Sequence, residues 1–166
     1  MRNILFIGRF QPPHFGHKKT ILRLLKSQKK LTIAIGSSNK CDENNPFSAK
    51  ERLYLLKKII PKRYVCNTKF AFLADNKSNA KWVSVVAHRF PKEKYVVVSA
   101  NKLVRSLLKK AGYVLDHSSL YNRKLWEGKK IRSLIRNSKD YSTRIPSQIL
   151  KTISKKSKKL VKKKKF

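Results

Sequence analysis

Short runs of apolar, β-branched residues alternate along this chain with segments of helical periodicity, and that alternation restricts the fold more than any other feature. "NILFI" (3–7) closes on Gly8, "LTIAIGSS" (31–38) ends in glycine and serines, and "KYVVVSAN" (94–101) and "YVLDHSS" (113–119) follow. Continuous apolar runs of that length read as strands buried on both faces, as in a parallel sheet. "RYVCNTKFAFLAD" (63–75) holds one or two further strand pieces.

Between these runs lie the helices. "HFGHKKTILRLLKS" (14–27) places Ile21, Leu22, Leu24 and Leu25 on one side. "SAKERLYLLKKII" (48–60) opens with Ser48 and Glu51 at capping-box spacing, carries Leu53, Leu56 and Ile60 along one face, and stops at Pro61. "NAKWVSVVAHRF" (79–90) has Asn79 as its N-cap, and Asn101 caps "KLVRSLLKKA" (102–111), with Gly112 as a left-handed stop. After Gly128 the periodicity is helical only, with Pro146 at the first position of a last helix.

Strand–helix–strand units with short connections predict an α/β fold, a Rossmann-like open parallel sheet flanked by helices, with a C-terminal helical segment. Its ligands sit beyond the carboxyl ends of the strands. At 166 residues the chain suits one domain, placed at 1–153, and "KKSKKLVKKKKF" (155–166) reads as a lysine-rich tail from 154, too charged to pack.

Lysine and arginine number 42 against 8 acids, a net charge of +34, so the surface field selects anions: nucleic acid, nucleotides or other anionic small molecules. A composition biased to lysine without specific meaning gives the same field, and charge does not choose among these readings. Cys41 and Cys66 are too few and too far apart for a disulfide scaffold or a structural zinc site, which leaves free thiols in a reducing cytoplasm. The N-terminal apolar run is too short for a secretory leader or a membrane span, so a soluble cytoplasmic protein without membrane association is expected.

The segment "GRFQPPHFGH" (8–17) departs from an ordinary strand-to-helix turn. Gly8 ends the first strand where a residue without a side chain lets a bulky anion approach the backbone. His14 and His17 sit three apart where a helix begins, beside unpaired N–H groups and the positive end of its dipole, which attract phosphate. Gly16 keeps the floor low and Arg9 adds a forked donor suited to phosphate oxygens. A histidine pair at this spacing also makes a metal half-site, but no acidic or cysteine partner lies nearby in sequence, and no metal ligation is expected. His88 and His117 lack such a setting and read as structural or surface residues.

Taken whole, "GRFQPPHFGH" resembles the H-x-G-H signature of the nucleotidyltransferase superfamily, and with Gly-Arg-Phe-Gln-Pro ahead of it, the archaeal type of nicotinamide-nucleotide adenylyltransferases. "IGSSNKCDENNPFSAKERLYLL", "NAKWV" (79–83), "VVSAN" (97–101) and "KLVRSLL" are similar to further segments of that family in the same order, and "GKKIR" (128–132) falls where the family carries Ser-Gly-Thr-x-x-Arg. The resemblance covers all but the tail.

It implies transfer of AMP from ATP to nicotinamide mononucleotide, giving NAD and pyrophosphate, with magnesium carried mainly by the ATP. It also implies roles. His14, His17, Arg9 and Arg132 act on the phosphates; Gly8, Phe10, Gly16, Gly128 and Lys129 complete the ATP site; Asn79, Trp82, Ser99 and Asn101 face the mononucleotide, with Trp82 stacked on the nicotinamide ring. Taken alone, Trp82 reads equally as a core residue on a helix face. Relatives often assemble as hexamers, so a homo-oligomer is implied, and the positive charge works against it.

The sequence departs from the family's pattern at two points. Glu127 and Lys129 stand where two hydroxyls are usual, and Glu127 beside a triphosphate is repulsive unless it turns away. Asn44 and Asn45 stand where relatives often place an arginine ahead of Asp-Pro-Phe, so that a contact to substrate phosphate is either missing or supplied by Lys40. Two alternatives stay open: a sister enzyme with another phosphorylated acceptor (phosphopantetheine, FMN or a polyol phosphate), and a degenerate member that binds nucleic acid through its basic surface.

Overall fold

In the computed structural model, residues 2–27, 30–116, 121 and 125–162 are described. Five strands, β1 (Asn3–Gly8), β2 (Leu31–Ile35), β3 (Thr68–Phe72), β4 (Tyr95–Ser99) and β5 (Val114–Leu115), form one sheet in the order β3-β2-β1-β4-β5, with every pairing parallel. The six helices are α1 (Phe15–Lys26), α2 (Ala49–Ile59), α3 (Asn79–Arg89), α4 (Lys102–Lys110), α5 (Gly128–Arg136) and α6 (Ser147–Lys162). This is the predicted Rossmann-like architecture.

The chain moves outward from β1 through β2 to β3, then returns to the other side of β1 with β4. The strand order therefore reverses between β1 and β4, and a crevice opens beyond their carboxyl ends. β2 is buried along its whole length because helices cover both sheet faces. One core cluster gathers Ile4, Phe6, Ile33 and Ile35 with residues of α1, α2, α5 and α6, and a second gathers Leu5, Ile7 and Val97 with α3 and α4. Each fully buried strand side chain such as Leu5, Ile33 or Val97 contributes about 1.5–3 kcal/mol.

The helix signals resolve with small corrections. Ser48 and Glu51 form the expected capping box on α2; of the expected line Leu56 and Ile60 are buried and Leu53 packs against the same core, and the buried face also takes in Arg52, Leu55 and Ile59. Ser78, not Asn79, caps α3, and its hydroxyl accepts the Lys81 N–H; this leaves Asn79 as the first helical residue. Asn101 caps α4 as expected, and Gly112 takes φ +82° behind it. Pro146 precedes α6 rather than opening it.

The boundary drawn at 153/154 has no counterpart in the backbone. α6 continues to Lys162, Ile149, Ile153 and Ser157 are buried at fourfold spacing, and Lys156 donates to Glu51 on α2 at 2.7 Å. One uncharged stripe suffices to dock a lysine-rich helix. Residues 163–166 of that segment, and His117, lie outside the described residues; His88 is exposed. Among the described residues no helix is long and apolar enough to cross a membrane, and both cysteines are free and exposed.

Candidate active site

The crevice at the β1/β4 switch point encloses about 730 Å³. All the predicted site residues line it: Gly8, Arg9, Phe10 and His14 from β1 and its loop, Gly16 and His17 from α1, Asn79 and Trp82 from α3, Ser99 at the end of β4 and Asn101 after it, and Gly128, Lys129 and Arg132 from α5. Segments as far apart in sequence as Gly8 and Arg132 thus meet because each follows a strand or opens a helix at the same edge of the sheet.

His14 is the N-cap of α1, and the pair closes a capping box with imidazoles in place of the usual hydroxyl and carboxylate. His14 Nδ1 accepts the His17 N–H at 3.4 Å, and His17 Nδ1 accepts the His14 N–H at 3.3 Å. The rings stack with centroids 3.7 Å apart. Burial pushes the His14 pKa down to about 3, and burial, reinforced by the neighbouring His14, holds His17 well below its ordinary value. Both rings are therefore neutral near pH 7. With each Nδ1 occupied as an acceptor, each ring carries its proton on Nε2 and offers a neutral donor.

The glycines serve the side chains beside them. A Cβ on Gly8 would meet the Phe10 ring at 2.9 Å, so its bareness accommodates Phe10, which is buried and held at φ 53°, while Gly8 itself lines the crevice. A left-handed phenylalanine costs on the order of 1–3 kcal/mol and persists only where surroundings enforce it. A Cβ on Gly16 would press on the His14 ring at 3.1 Å. At Gly128 it would meet Gln11 O at 3.1 Å and Arg132 Nη1 at 3.2 Å, so α5 reaches the β1–α1 loop only with glycine there.

Positive charge comes from Arg9 and Arg132 and from Lys40, Lys102 and Lys129. Arg132 is buried and its Nη1 donates to Gln11 O at 2.8 Å, while its Nε is buried without a hydrogen-bond partner. Burial, then the charges of Arg9 and Arg136, lower the Arg132 pKa, and Glu127 opposes them. Glu127 occupies the N-cap of α5 without a side-chain capping bond, so its carboxylate spends its field on Arg132 and the helix end. Arg9 is exposed at the rim.

The sequence reading passed over two residues that hold this arrangement. Gln11 is buried: its Nε2 donates to Phe47 O at 2.6 Å and its Oε1 accepts the Phe47 N–H at 3.1 Å, tying the β1–α1 loop to the β2–α2 loop. Arg52 is fully buried and donates to the carbonyls of Arg9 and Gly36 (both 2.7 Å), Ser37 (3.0 Å) and Ser48 (3.3 Å). Burial lowers its pKa to about 10, which leaves it charged, a cation stored beneath the loops that line the crevice. Its spacing with Leu55, Leu56 and Ile59 was the signal that it faces inward.

On the remaining side, Trp82 packs against the second core cluster and also lines the crevice, so its two readings are compatible. Asn101 spends its Oδ1 on capping α4, and the buried Ser99 hydroxyl accepts the Asn101 N–H at 3.3 Å; both thus carry structural duties.

A parallel sheet with this strand order, carrying a crevice lined by imidazole and guanidinium donors, suits a nucleotidyltransferase. Residues 5–159 match the family described as cytidylyltransferase-like. Proteins named nicotinamide-nucleotide adenylyltransferase are similar over most of their length: that of Methanosarcina acetivorans is 35% identical over 92% of this chain and 88% of its own. The one from Methanococcus aeolicus is 35% identical (90% and 86%), and that of Thermoplasma volcanium 32% (89% and 83%). The chain belongs to this nicotinamide-nucleotide adenylyltransferase family, within the cytidylyltransferase-like proteins. Its fold is also that of a bifunctional NMN adenylyltransferase/ADP ribose pyrophosphatase from Francisella tularensis, with a TM-score of 0.79 at 22% identity, over 99% of this chain and 54% of that one. The chain spans about half the length of that bifunctional protein.

Proposed function

We infer that this protein is an ATP-dependent nicotinamide-nucleotide adenylyltransferase that joins AMP from ATP to nicotinamide mononucleotide, forming NAD and pyrophosphate. The observation that carries the reading is the neutral His14–His17 pair, with both Nε2 donors available, at the N-terminus of α1 in the switch-point crevice.

The acceptor's 5′-phosphate oxygen attacks the α-phosphorus of ATP; that P–O bond forms, the bond to the α,β-bridging oxygen breaks, and pyrophosphate leaves with the electron pair. A phosphate nucleophile is already ionised at neutral pH, so the reaction needs no general base. Catalysis is alignment of two anions and stabilisation of charge growing on the leaving group.

In this reading His14 and His17 donate to the ATP phosphates from Nε2, Arg9 sits at the reacting centre, and Arg132 takes the β,γ end with its unpartnered Nε. The first turn of α5 replaces the two missing hydroxyls with backbone N–H groups and Lys129. Trp82 and Asn79 receive the nicotinamide moiety.

Magnesium enters with ATP as substrate. The donor set of the crevice suits a metal carried by phosphate: its lining carboxylates among the described residues are Asp75 and Glu127, and Asp75 is taken by Lys40 and Ser37. Among the described residues no group of three His, Cys, Asp or Glu gathers to hold an ion. The metal supplies further charge neutralisation on the phosphates, and the protein's residues orient them.

Parallel assays with nicotinamide mononucleotide, nicotinate mononucleotide, phosphopantetheine, FMN and glycerol phosphate test the acceptor. Turnover is expected with the pyridine mononucleotides alone; turnover confined to another acceptor would replace this reading with that sister activity.

A further inference from the structure

The layer that holds α2 and α6 turns a lysine-rich face to solvent. In α6 the buried Ile149, Ile153 and Ser157 define the docked side, and Lys151, Lys155 and Lys158, all exposed, follow one another at about one helical turn on the opposite side. α2 repeats the arrangement: with Leu55, Leu56 and Ile59 buried, Lys50, Lys57 and Lys58 are exposed on its outer side. The two helices pack against each other and are joined by the Lys156–Glu51 contact at 2.7 Å, so the two lysine rows share one surface.

That surface carries almost no balancing charge. Glu51 is the only acid in either helix, and its carboxylate is spent on Lys156 and on the Ser48 N–H. Among the described residues none of the six outward lysines forms an ion pair. Neighbours on a helix surface lie about 5–6 Å apart, inside a Debye length of about 8 Å, so these ammonium groups repel one another in the free protein. A bound polyanion removes that repulsion.

An aromatic ring stands among the charges. Tyr54 is 50% exposed on α2, three or four positions from Lys50, Lys57 and Lys58, and Lys58 Nζ lies 4.8 Å from the centre of its ring. A ring left half in water adds little to the core and presents a π face to a base. Insertion into a membrane surface needs a row of exposed apolar side chains, and the exposed positions of these two helices supply this tyrosine alone. None of the six lysines, nor Tyr54, lines the crevice, so a ligand on this face leaves the crevice open.

We propose that the α2–α6 face binds single-stranded nucleic acid, with its lysines on the phosphates and Tyr54 stacked on a base. A positive track with an aromatic platform is the chemistry of sequence-tolerant strand binding. This binding is independent of the reaction in the crevice, and it gives part of the +34 charge a located partner.

The test measures binding of a fluorescently labelled oligouridylate of about twenty nucleotides to the whole chain, by anisotropy, between about 50 and 200 mM salt. Wild type is expected to bind with an affinity that falls steeply as salt rises. Lys151→Gln, Lys155→Gln and Lys158→Gln combined should weaken binding about tenfold or more and reduce the log–log salt slope by about 2, since each phosphate contact on a single strand contributes about 0.7. Removing three charges from the other face of the sheet, by Lys81→Gln, Lys109→Gln and Lys110→Gln on α3 and α4, should cost less than about threefold. Tyr54→Leu should weaken binding about fivefold or more with the slope unchanged, and Tyr54→Phe should bind as wild type does. Phosphatidylserine vesicles and polyglutamate serve as the competing polyanions. Equal losses from the two triple variants would reduce the binding to the field of the whole protein and overturn the proposal. A Tyr54→Leu variant that binds like wild type, or tighter capture of the vesicles or of polyglutamate than of the oligouridylate, overturns it as well.

Discussion

His14 and His17 each accept the other's backbone N–H on Nδ1, and their rings lie stacked with centroids 3.7 Å apart. The arrangement caps α1 and, by the same bonds, presets the tautomer that leaves both Nε2 protons free to donate. One pair of contacts therefore serves stability and catalysis together, and substitutions there should separate into the two effects.

His17→Ala is expected to lower kcat by about 10²–10³-fold, the usual worth of a preorganised donor to developing charge. Its ATP KM should change much less. Steady-state NAD formation checks this, and turnover within a few-fold of wild type would remove the histidines from the chemistry.

The buried neutral rings also set a pH dependence of stability. Burial lowers both pKa values, that of His14 from 6.5 to about 3, so below pH 6.5 the unfolded chain binds more protons at these rings than the folded one. For His14 the stabilisation is present above pH 6.5 and is lost as pH falls toward 3, at up to about 1.4 kcal/mol per pH unit, and His17 acts in the same direction. Denaturant midpoints of the ligand-free protein should fall as pH drops below 6.5, and His14→Gln with His17→Gln should flatten that slope.

Arg52→Met should destabilise the fold by about 2–4 kcal/mol, since it leaves several buried carbonyls without their donor. Urea titration measures the loss. A change below about 1 kcal/mol would mean that the loops carrying Arg9 and Ser37 hold their positions unaided.

Glu127→Gln should lower the KM for ATP by about threefold, because the carboxylate lies close enough to act on Arg132 and opposes a triphosphate there. An unchanged or raised KM would show that Glu127 is directed away from the nucleotide or helps to orient Arg132.

Much of the fold was legible because the local signals agree with the global pattern. The β1 and β2 runs, the Ser48–Glu51 capping box, the Asn101 cap and the αL Gly112 each follow from short-range chemistry. The site residues could be located because a parallel sheet delivers every strand's carboxyl end to one edge. What stayed hidden depends on tertiary contact. Arg52 shares the spacing of the apolar face of α2, but its role shows only when the carbonyls of two loops converge on it, and that Gly8 makes room for the Phe10 ring shows only in the folded loop. In α6 the lysines mask the sparse line of Ile149, Ile153 and Ser157 that docks the helix. Ser78 took the cap assigned to Asn79 because adjacent polar residues compete for the same N–H groups.

The most direct test of the central claim is NAD and pyrophosphate release from ATP, magnesium and nicotinamide mononucleotide, measured on the whole chain beside His14→Ala and His17→Ala. The account predicts stoichiometric NAD and pyrophosphate from wild type and a loss of about 10²-fold or more in each variant. Wild-type protein that binds ATP yet forms no NAD, or variants that match it, would contradict the account.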